Sequence, residues 1–487
     1  MILSKKGYLI IDIGTGNVRV ALVGTEGEIL DMQRDNVVYT EDEDLKEAQS
    51  FDPEILWMQV LSLTKKVLKN VNEVKVLAIT ASSQREGIVL MDKDGKALLG
   101  LPNHDHRGRS WENTIMDKDR VYELTGRYPS SLFSALKLRG IKEKRPSIYQ
   151  RTGKILSISD WAQYMFSGVM GYEHSQASET LFYDVAQMKW SEELCGIFET
   201  GQELLPPLHQ SGSVLGSVLP ELAEELALSS DIPVIVGGAD TQLAIKSTQP
   251  VAWDIVIVSG TTTPIVRIVE NYQLDPQQRT WTGRHIEKGE FVLEANAGVT
   301  GLNFQRLKEI FYPHEGYEVI ERELNEVRDS HCVASLGSLL ANEPKPLTRG
   351  GFLFSAPVSH QLSRGSFVQA ILWDISCSIK ENYKVLCEAV PYEKDYVWVC
   401  GGGFQSRTFI HYIANLLNKR VLLRDNFSQA SVVGGALVCK ETLGDGTQFG
   451  TEVKEFSPES QEDIEHQYQE WKRMRIGLSQ LYVKEEE

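Results

Sequence analysis

Apolar residues fall in short unbroken runs near the start of the chain, at Leu9 to Ile13, Val18 to Val23, Val76 to Thr80 and Gly87 to Met91. Each run has the length of a buried strand. Between the second and third, the stretch from Pro53 to Asn72 carries apolar residues at helical spacing. Strands alternating with amphipathic helices predict an α/β domain. The alternation fades and then restarts in IPVIVGGADTQLAIKSTQPVAWDIVIVSGTTTPIVRIV, where a strand, a Gly-Gly turn and a helix precede a second strand, loop and strand. Laying Gly14-Thr15 over Gly260-Thr261 aligns IDIGTGNVRVALV with IVSGTTTPIVRIV, although Arg267 falls one position beyond Arg19. An internal repeat of such long period predicts two domains, residues 1–247 and 248–487, divided at the Ser-Thr-Gln-Pro stretch that begins at Ser247. The final segment, FSPESQEDIEHQYQEWKRMRIGLSQLYVKEEE, predicts a surface helix followed by an acidic tail.

One residue breaks the pattern of the first run. Asp12 sits inside an apolar strand, and an unpaired carboxylate there costs several kcal/mol. A polar or cationic group is therefore expected opposite it.

Composition narrows the classes of function. The chain has 487 residues, of which 42% are hydrophobic and 24% charged, enough for two cores. Its net charge of −17 argues against nucleic acid or an anionic membrane as partner, because most of the surface would repel either. No apolar run approaches the ~20 residues of a membrane span. The six cysteines lack CxxC spacing, which reads as reduced thiols in a cytoplasmic protein.

The candidate chemistry lies in the glycine-rich turns. Gly14-Thr15-Gly16-Asn17 and Gly260-Thr261-Thr262 are small-residue loops, one per half. Such turns expose backbone N–H groups and a hydroxyl, a concavity that binds phosphate oxygens. Either alone is equally a plain hairpin turn. With Asp12 just ahead of the first, Mg²⁺ carried by a nucleotide becomes a natural counter-charge, the alternative being a carboxylate that caps its own turn. A third cluster, VCGGGFQSRTF, sets three glycines before a helix beginning near Ser406. This suits either a nucleotide or a close crossing of strand and helix. It is neither a Walker A loop nor a GxGxxG fingerprint.

Asp240, in Gly-Gly-Ala-Asp at the end of an apolar strand, is placed as a general base would be. A helix N-cap is the alternative. Gln84, Arg85 and Glu86 offer donors and acceptors of both signs, suited to a small polyol, or else form a surface ion pair. His104 and His106 lie two apart, without a third metal ligand at suitable spacing.

Taken in order, Asp-x-Gly-Thr-Gly-Asn-x-Arg, Gln-Arg-Glu-Gly, Asp-x-Arg, Gly-Gly-Ala-Asp-x-Gln, Ser-Gly-Thr-Thr and Gly-Gly-Gly-x-x-Ser span essentially the whole chain. This sequence of motifs resembles the FGGY carbohydrate kinases. The resemblance implies two ribonuclease H-like, actin-like ATPase domains with ATP and a sugar or polyol meeting in the cleft between them. By resemblance Asp12 is the metal-associated aspartate, and Thr15, Gly16 and Asn17, with Arg19 beside them, form the first phosphate site. Gly260, Thr261 and Thr262 resemble the second phosphate loop, and Gly402, Gly403 and Ser406 the adenosine site. Asp240 resembles the catalytic base, while Gln84, Arg85, Glu86, Asp105, Arg107 and Gln242 resemble the substrate side. ATP and Mg²⁺ are the implied cofactors, and a homodimer the default assembly.

Within the family, QREGIVLMDKDG and SISDWAQYMFSG look most like the autoinducer-2 kinase branch, and Gln-Arg-Glu is closer to glycerol kinases than to xylulokinases. The second of these stretches also reads as a structural helix opened by Asp160. Three positions depart from the family pattern: FSAPVSHQLSRGSFVQA lacks Gly-Glu-Arg-x-Pro, Gln429 stands where many members carry glutamate, and Asn17 replaces Ser or Thr. These leave two other readings open, a non-catalytic actin-like nucleotide switch and a sugar-kinase homologue without activity.

Overall fold

The computed structural model describes residues 5–71, 74–327, 332–447, 449–450, 452–459 and 463–482. In the first half, β1 (Lys5–Ile13), β2 (Asn17–Gly24), β3 (Ile29–Asn36), β4 (Val74–Ser83), β5 (Val214–Ser217) and β6 (Pro233–Ala239) form one sheet in the order β5-β6-β4-β1-β2-β3. Its helices include α1 (Pro53–Asn70), α2 (Ile158–Ser167) and α3 (Asp240–Ser247). The second half contributes β7 (Ile255–Val258), β8 (Pro264–Val269), β9 (Trp281–Arg284), β10 (Phe291–Asn296), β11 (Tyr396–Cys400), β12 (Arg420–Arg424) and β13 (Val453–Phe456), ordered β9-β10-β8-β7-β11-β12-β13. Its longer helices are α4 (Thr300–Phe311), α5 (Arg364–Ala389), α6 (Arg407–Leu417), α7 (Ala430–Thr442) and α8 (Ile464–Tyr482).

The two sheets repeat one plan. In each, the first strand pairs antiparallel with the hairpin strand that follows it and parallel with the strand that comes after a long crossover: β1 with β2 and β4, β7 with β8 and β11. The four strand runs anticipated from the first hundred residues correspond to β1, β2, β4 and a strand at Ile88–Asp92. Asp52 caps α1, accepting N–H bonds from Glu54 and Ile55, and Pro53 begins the helix where its missing N–H costs nothing.

Two helices tie the halves together, and each packs across the divide. Ala244 and Ile245 of α3 lie with Val256, Val258 and Trp398 of the second sheet. Val432, Ala436 and Cys439 of α7 lie instead with Tyr8, Ile10, Ala78 and Ile235 of the first. The two helices meet at Gly434, where an added Cβ would stand 1.8 Å from the carbonyl oxygen of Leu243. The C-terminal helix α8 is less superficial than its sequence suggests. Trp471 and Tyr468 are buried against Trp373, Cys377 and Leu416, because the helix closes over an apolar face of α5 and α6. The anticipated acidic tail lies outside the described residues. Among the described residues no helix is long and apolar enough to cross a membrane.

The crossing of α3 and α7 gives a direct test. Gly434→Ala forces a methyl into backbone, and overpacking of this kind typically costs ~1–3 kcal/mol. Its thermal midpoint should fall, whereas Gly196→Ala, in a helix with open space around the position, should hold or gain. Equal midpoints for the two variants would contradict the close crossing.

Candidate active site

Register places the predicted residues on one edge of each sheet. Ile13 is opposite Ser83, and Ser83 is opposite Ala239, so β1, β4 and β6 end in line. Loop 14–16, residues 84–86 and Asp240 all leave from that carboxyl edge, where open α/β sheets bind ligands. In the second sheet Val258 is opposite Cys400, so loop 259–263 and the glycines at 401–403 also emerge side by side.

Asp12 has the partner its burial demanded. Arg19 is its cross-strand neighbour and meets Oδ2 at 2.6 Å, while Ser431 of α7 donates to the same oxygen at 3.0 Å. Arg19 was expected near the nucleotide. Its guanidinium pairs with Asp12 and donates to Gln429 at 3.0 Å. Oδ1 of Asp12 is buried without a partner. An acceptor-only oxygen in that state fits a cation or a cation's bound water, so this residue fits Mg²⁺. Among the described residues there is no group of three or more His, Cys, Asp or Glu side chains that could hold a metal.

Asp240 is the first residue of α3, and Ala239 occupies the cap position. The N-cap alternative therefore does not describe it. Oδ1 accepts from the Thr241 N–H at 2.6 Å and its hydroxyl at 3.2 Å. Burial first, and then the negative charge of Asp12, push its carboxyl up to about 6, against the opposing pull of Arg85. A carboxyl so raised is a better proton acceptor than a solvated aspartate.

The Gln-Arg-Glu stretch is buried rather than a surface ion pair. Arg85 makes a bidentate pair with Glu294 of β10, Nη1 at 2.6 Å and Nη2 at 3.0 Å, with Glu179 at 3.7 Å and Glu86 at 3.8 Å. Glu179 is itself gripped by Arg127. Burial opposes the charge of Glu294, yet Arg85 holds its carboxyl below the usual range; burial pushes Glu86 up. Glu86 has a φ of 61° inside a tight turn closed by the Gly87 N–H on the Arg85 carbonyl at 2.7 Å. Such strain in a non-glycine residue clusters at functional sites.

Other predicted substrate residues also have partners within the protein. Gln84 accepts from the Asn103 N–H at 2.9 Å and donates to the Tyr39 hydroxyl at 3.2 Å. Asp105 and Arg107 pair at 2.7 Å and hold the backbone N–H and carbonyl of Gln49, at 2.9 Å each. Both side chains are buried, and the pair ties the 102–108 loop to the strand that carries Gln49. Gln242 accepts at 2.7 Å from buried His285, whose pKa of about 4, lowered chiefly by burial, keeps it neutral. Burial likewise lowers His104 and His106.

The loops keep open space. A Cβ on Gly16 would meet nothing within 4 Å, and on Gly260 only the Thr262 carbonyl at 3.8 Å. Thr15 accepts from Asn103 at 2.9 Å, and Asn17 accepts from the Gly14 N–H at 2.9 Å. Thr261 is exposed and its carbonyl accepts from Leu302 N–H. Gly402 is open, whereas Gly403 packs on Ser259. Ser406 is the N-cap of α6, its hydroxyl oxygen accepting from the Phe409 N–H at 3.2 Å.

Glu294 and Ser431 escaped sequence reasoning. Glu294 carries the same signal as Asp12, an acidic residue in an apolar run, VLEAN. Ser431 carries none, since only the crossing of α7 brings it to β1.

Two repeated halves, each offering a glycine loop at the carboxyl edge of its sheet, with Asp240 at the end of one strand of the first, are the architecture of kinases built from two actin-like, ribonuclease H-like domains. Residues 7–246 match the N-terminal domain of the FGGY family of carbohydrate kinases. The chain is 48% identical over 477 residues to a Bacillus subtilis (strain 168) protein described as putative sugar kinase YoaC, covering 98% of each. It is 27% identical to the autoinducer-2 kinase of Yersinia enterocolitica over 63% of this chain and 59% of that one. The ligand-bound xylulose kinase of Lactobacillus acidophilus shares its fold, with a TM-score of 0.85 at 18% identity, over 98% of this chain and 99% of that one. The chain belongs to the FGGY family of carbohydrate kinases, enzymes that transfer phosphoryl groups to alcohol acceptors.

Ser406→Ala separates a cap from a ligand contact. It should lower stability by about 1 kcal/mol in a thermal melt and leave the KM for ATP within about two-fold. A large rise in that KM without loss of stability would reverse the assignment.

Proposed function

We propose that this chain transfers the γ-phosphoryl group of Mg·ATP to a terminal hydroxyl of a small neutral polyol or linear ketose, with Asp240 as the base. The observation that carries this reading is the placement of the Asp240 carboxyl, held by Thr241, at the edge shared by loop 14–16 and residues 84–86. Residues 1–247 hold the acceptor and the first phosphate loop, and residues 248–487 the second loop and the adenosine. Backbone N–H groups around Thr15, Gly16 and Asn17, and around Gly260, Thr261 and Thr262, grip the phosphates from two sides. Gly402 leaves backbone accessible to the nucleoside, and Gly403 packs beside it on Ser259. Bound Mg²⁺ supplies neutralisation of developing charge on the phosphate oxygens. Asp12 is the residue that holds it, through its unpartnered Oδ1 or an intervening water. Asp240 orients the hydroxyl and takes its proton late, since phosphoryl transfer passes through a loose transition state.

A neutral acceptor is favoured because the cations near the edge are matched: Arg85 by Glu294, Arg127 by Glu179, Arg107 by Asp105. Glu86, with its raised carboxyl, is suited to hydrogen-bond a hydroxyl alongside Arg85. Gln84 positions loop 14–16 rather than touching the acceptor. A cytoplasmic location is supported by six free cysteines, and a homodimer by the family resemblance.

ADP release should be measured with glycerol, D-xylulose, D-ribulose and erythrulose as acceptors. At least one should stimulate turnover strongly; no stimulation by any would sink the kinase reading in favour of a nucleotide switch or an inactive homologue. Asp240→Asn should cut that stimulated rate by roughly 10²–10⁴-fold and leave Mg·ATP binding intact. The base works only as an anion, and a pKa of about 6 puts its loss on the acid side. In the free enzyme, reported by kcat/KM, activity should fall about ten-fold per pH unit below that value and level off above it. A profile unchanged from about pH 5 to pH 8 would contradict Asp240 as base.

A further inference from the structure

Arg85 leaves the first sheet, yet its bidentate partner, Glu294, stands on β10 of the second. Both side chains are buried, and the fork fixes the guanidinium plane from the opposite half. Glu179 does not compete for that role, because Arg127 already occupies its two oxygens. The orientation of Arg85 therefore depends on where the second half sits.

The contact continues beyond Glu294. Asn296, on the same face two residues on, donates to Glu294 Oε1 at 2.9 Å and accepts from the Gly298 N–H at 2.8 Å. The Gly298 carbonyl accepts from the Thr263 N–H at 3.1 Å, and Thr263 closes the loop that begins at Gly260. Its hydroxyl meets that of Thr300 at 2.7 Å, at the start of α4. Gly301 follows, and there a Cβ would lie 1.8 Å from the Gly260 carbonyl oxygen. Loop 260–262 is thus braced from one side by the strand end that carries Asn296 and from the other by α4.

We infer that Glu294 and Asn296 are positioning residues that couple the acceptor-side Arg85 to the second phosphate loop, so that acceptor and nucleotide strengthen each other's binding. Neither residue touches the reacting atoms; they act through Arg85 and through residues 260–263. The Asn296 amide donates at one end and accepts at the other, so turning it breaks both links at once. The inference rests on the proposed kinase function for the meaning of the acceptor side, but the linkage between position 294 and the nucleotide loop is measurable without any acceptor.

The test is the affinity of Glu294→Gln and Asn296→Ala for Mg·AMP-PNP, by calorimetry, alone and with the best acceptor of the panel above. Glu294→Gln keeps the size and an acceptor oxygen for Asn296 while removing the charge that fixes Arg85. Both variants should bind Mg·AMP-PNP several-fold more weakly without acceptor, although neither position lies in the loop. Where acceptor tightens nucleotide binding in the parent, by roughly ten-fold, the gain should shrink toward one, and kcat should drop more than the acceptor KM rises. A purely structural role would lower the thermal midpoint and leave the binding ratio untouched. Should Glu294→Gln fail to fold, the half-buried Asn296 decides the matter. Unchanged Mg·AMP-PNP affinity in folded Asn296→Ala overturns the inference even if the parent proves to be a kinase; weakened affinity supports it even if no acceptor in the panel is phosphorylated.

Discussion

Asp12 is a carboxylate buried in an apolar strand, and the polar groups that its burial demands are the constraint on which the candidate site depends. Asp12 receives Arg19 and the Ser431 hydroxyl on one oxygen only, leaving the other bare. Asp240 receives hydrogen bonds from Thr241 alone, with Arg85 offsetting its charge at longer range. Under the proposed function, the bare oxygen of Asp12 is where a cation would be held and the carboxyl of Asp240 is the proton acceptor.

The fold supplies the desolvation by repeating itself. A hairpin loop at the carboxyl edge of one sheet would be an ordinary turn. Two such loops, one per half, are what the proposed function needs to hold a chain of phosphates. The halves that carry them are joined by the exchange of helices, α3 leaning on the second sheet and α7 on the first. Because α7 also brings Ser431 to Asp12, the element that joins the halves is part of the site. Domain closure in such a molecule bears directly on the geometry of its polar groups.

Much of this was legible in the sequence where the signal was local. Strand runs, the repeat of Gly-Thr loops and the carboxylate after Gly237-Gly238 each sit in one short stretch, and the observed β1, β2, β4 and β6 follow them. The partners of Arg19, Gln242, Asp105 and Arg107 were not legible, because a sequence names a polar residue without naming what it meets. Arg19 is claimed by the residue directly across the hairpin, a pairing that register alone could have exposed. Arg107 is claimed by a carboxylate two positions away, and Gln242 by His285 from the other half. Glu294 shows the opposite failure. Its burial in an apolar run is the same signal that drew attention to Asp12, but its meaning depends on Arg85, 209 positions distant.

The central claim is that one triphosphate spans both loops with its terminal phosphorus aimed at Asp240. It is tested most directly by a crystal structure of the protein with Mg·AMP-PNP. The account predicts phosphate oxygens on the backbone of residues 14–17 and 260–262, the metal beside Asp12, and the Asp240 carboxylate across from the terminal phosphate with room for one hydroxyl between. A nucleotide seated away from either loop, or an Asp240 side chain turned from the phosphates, would contradict it.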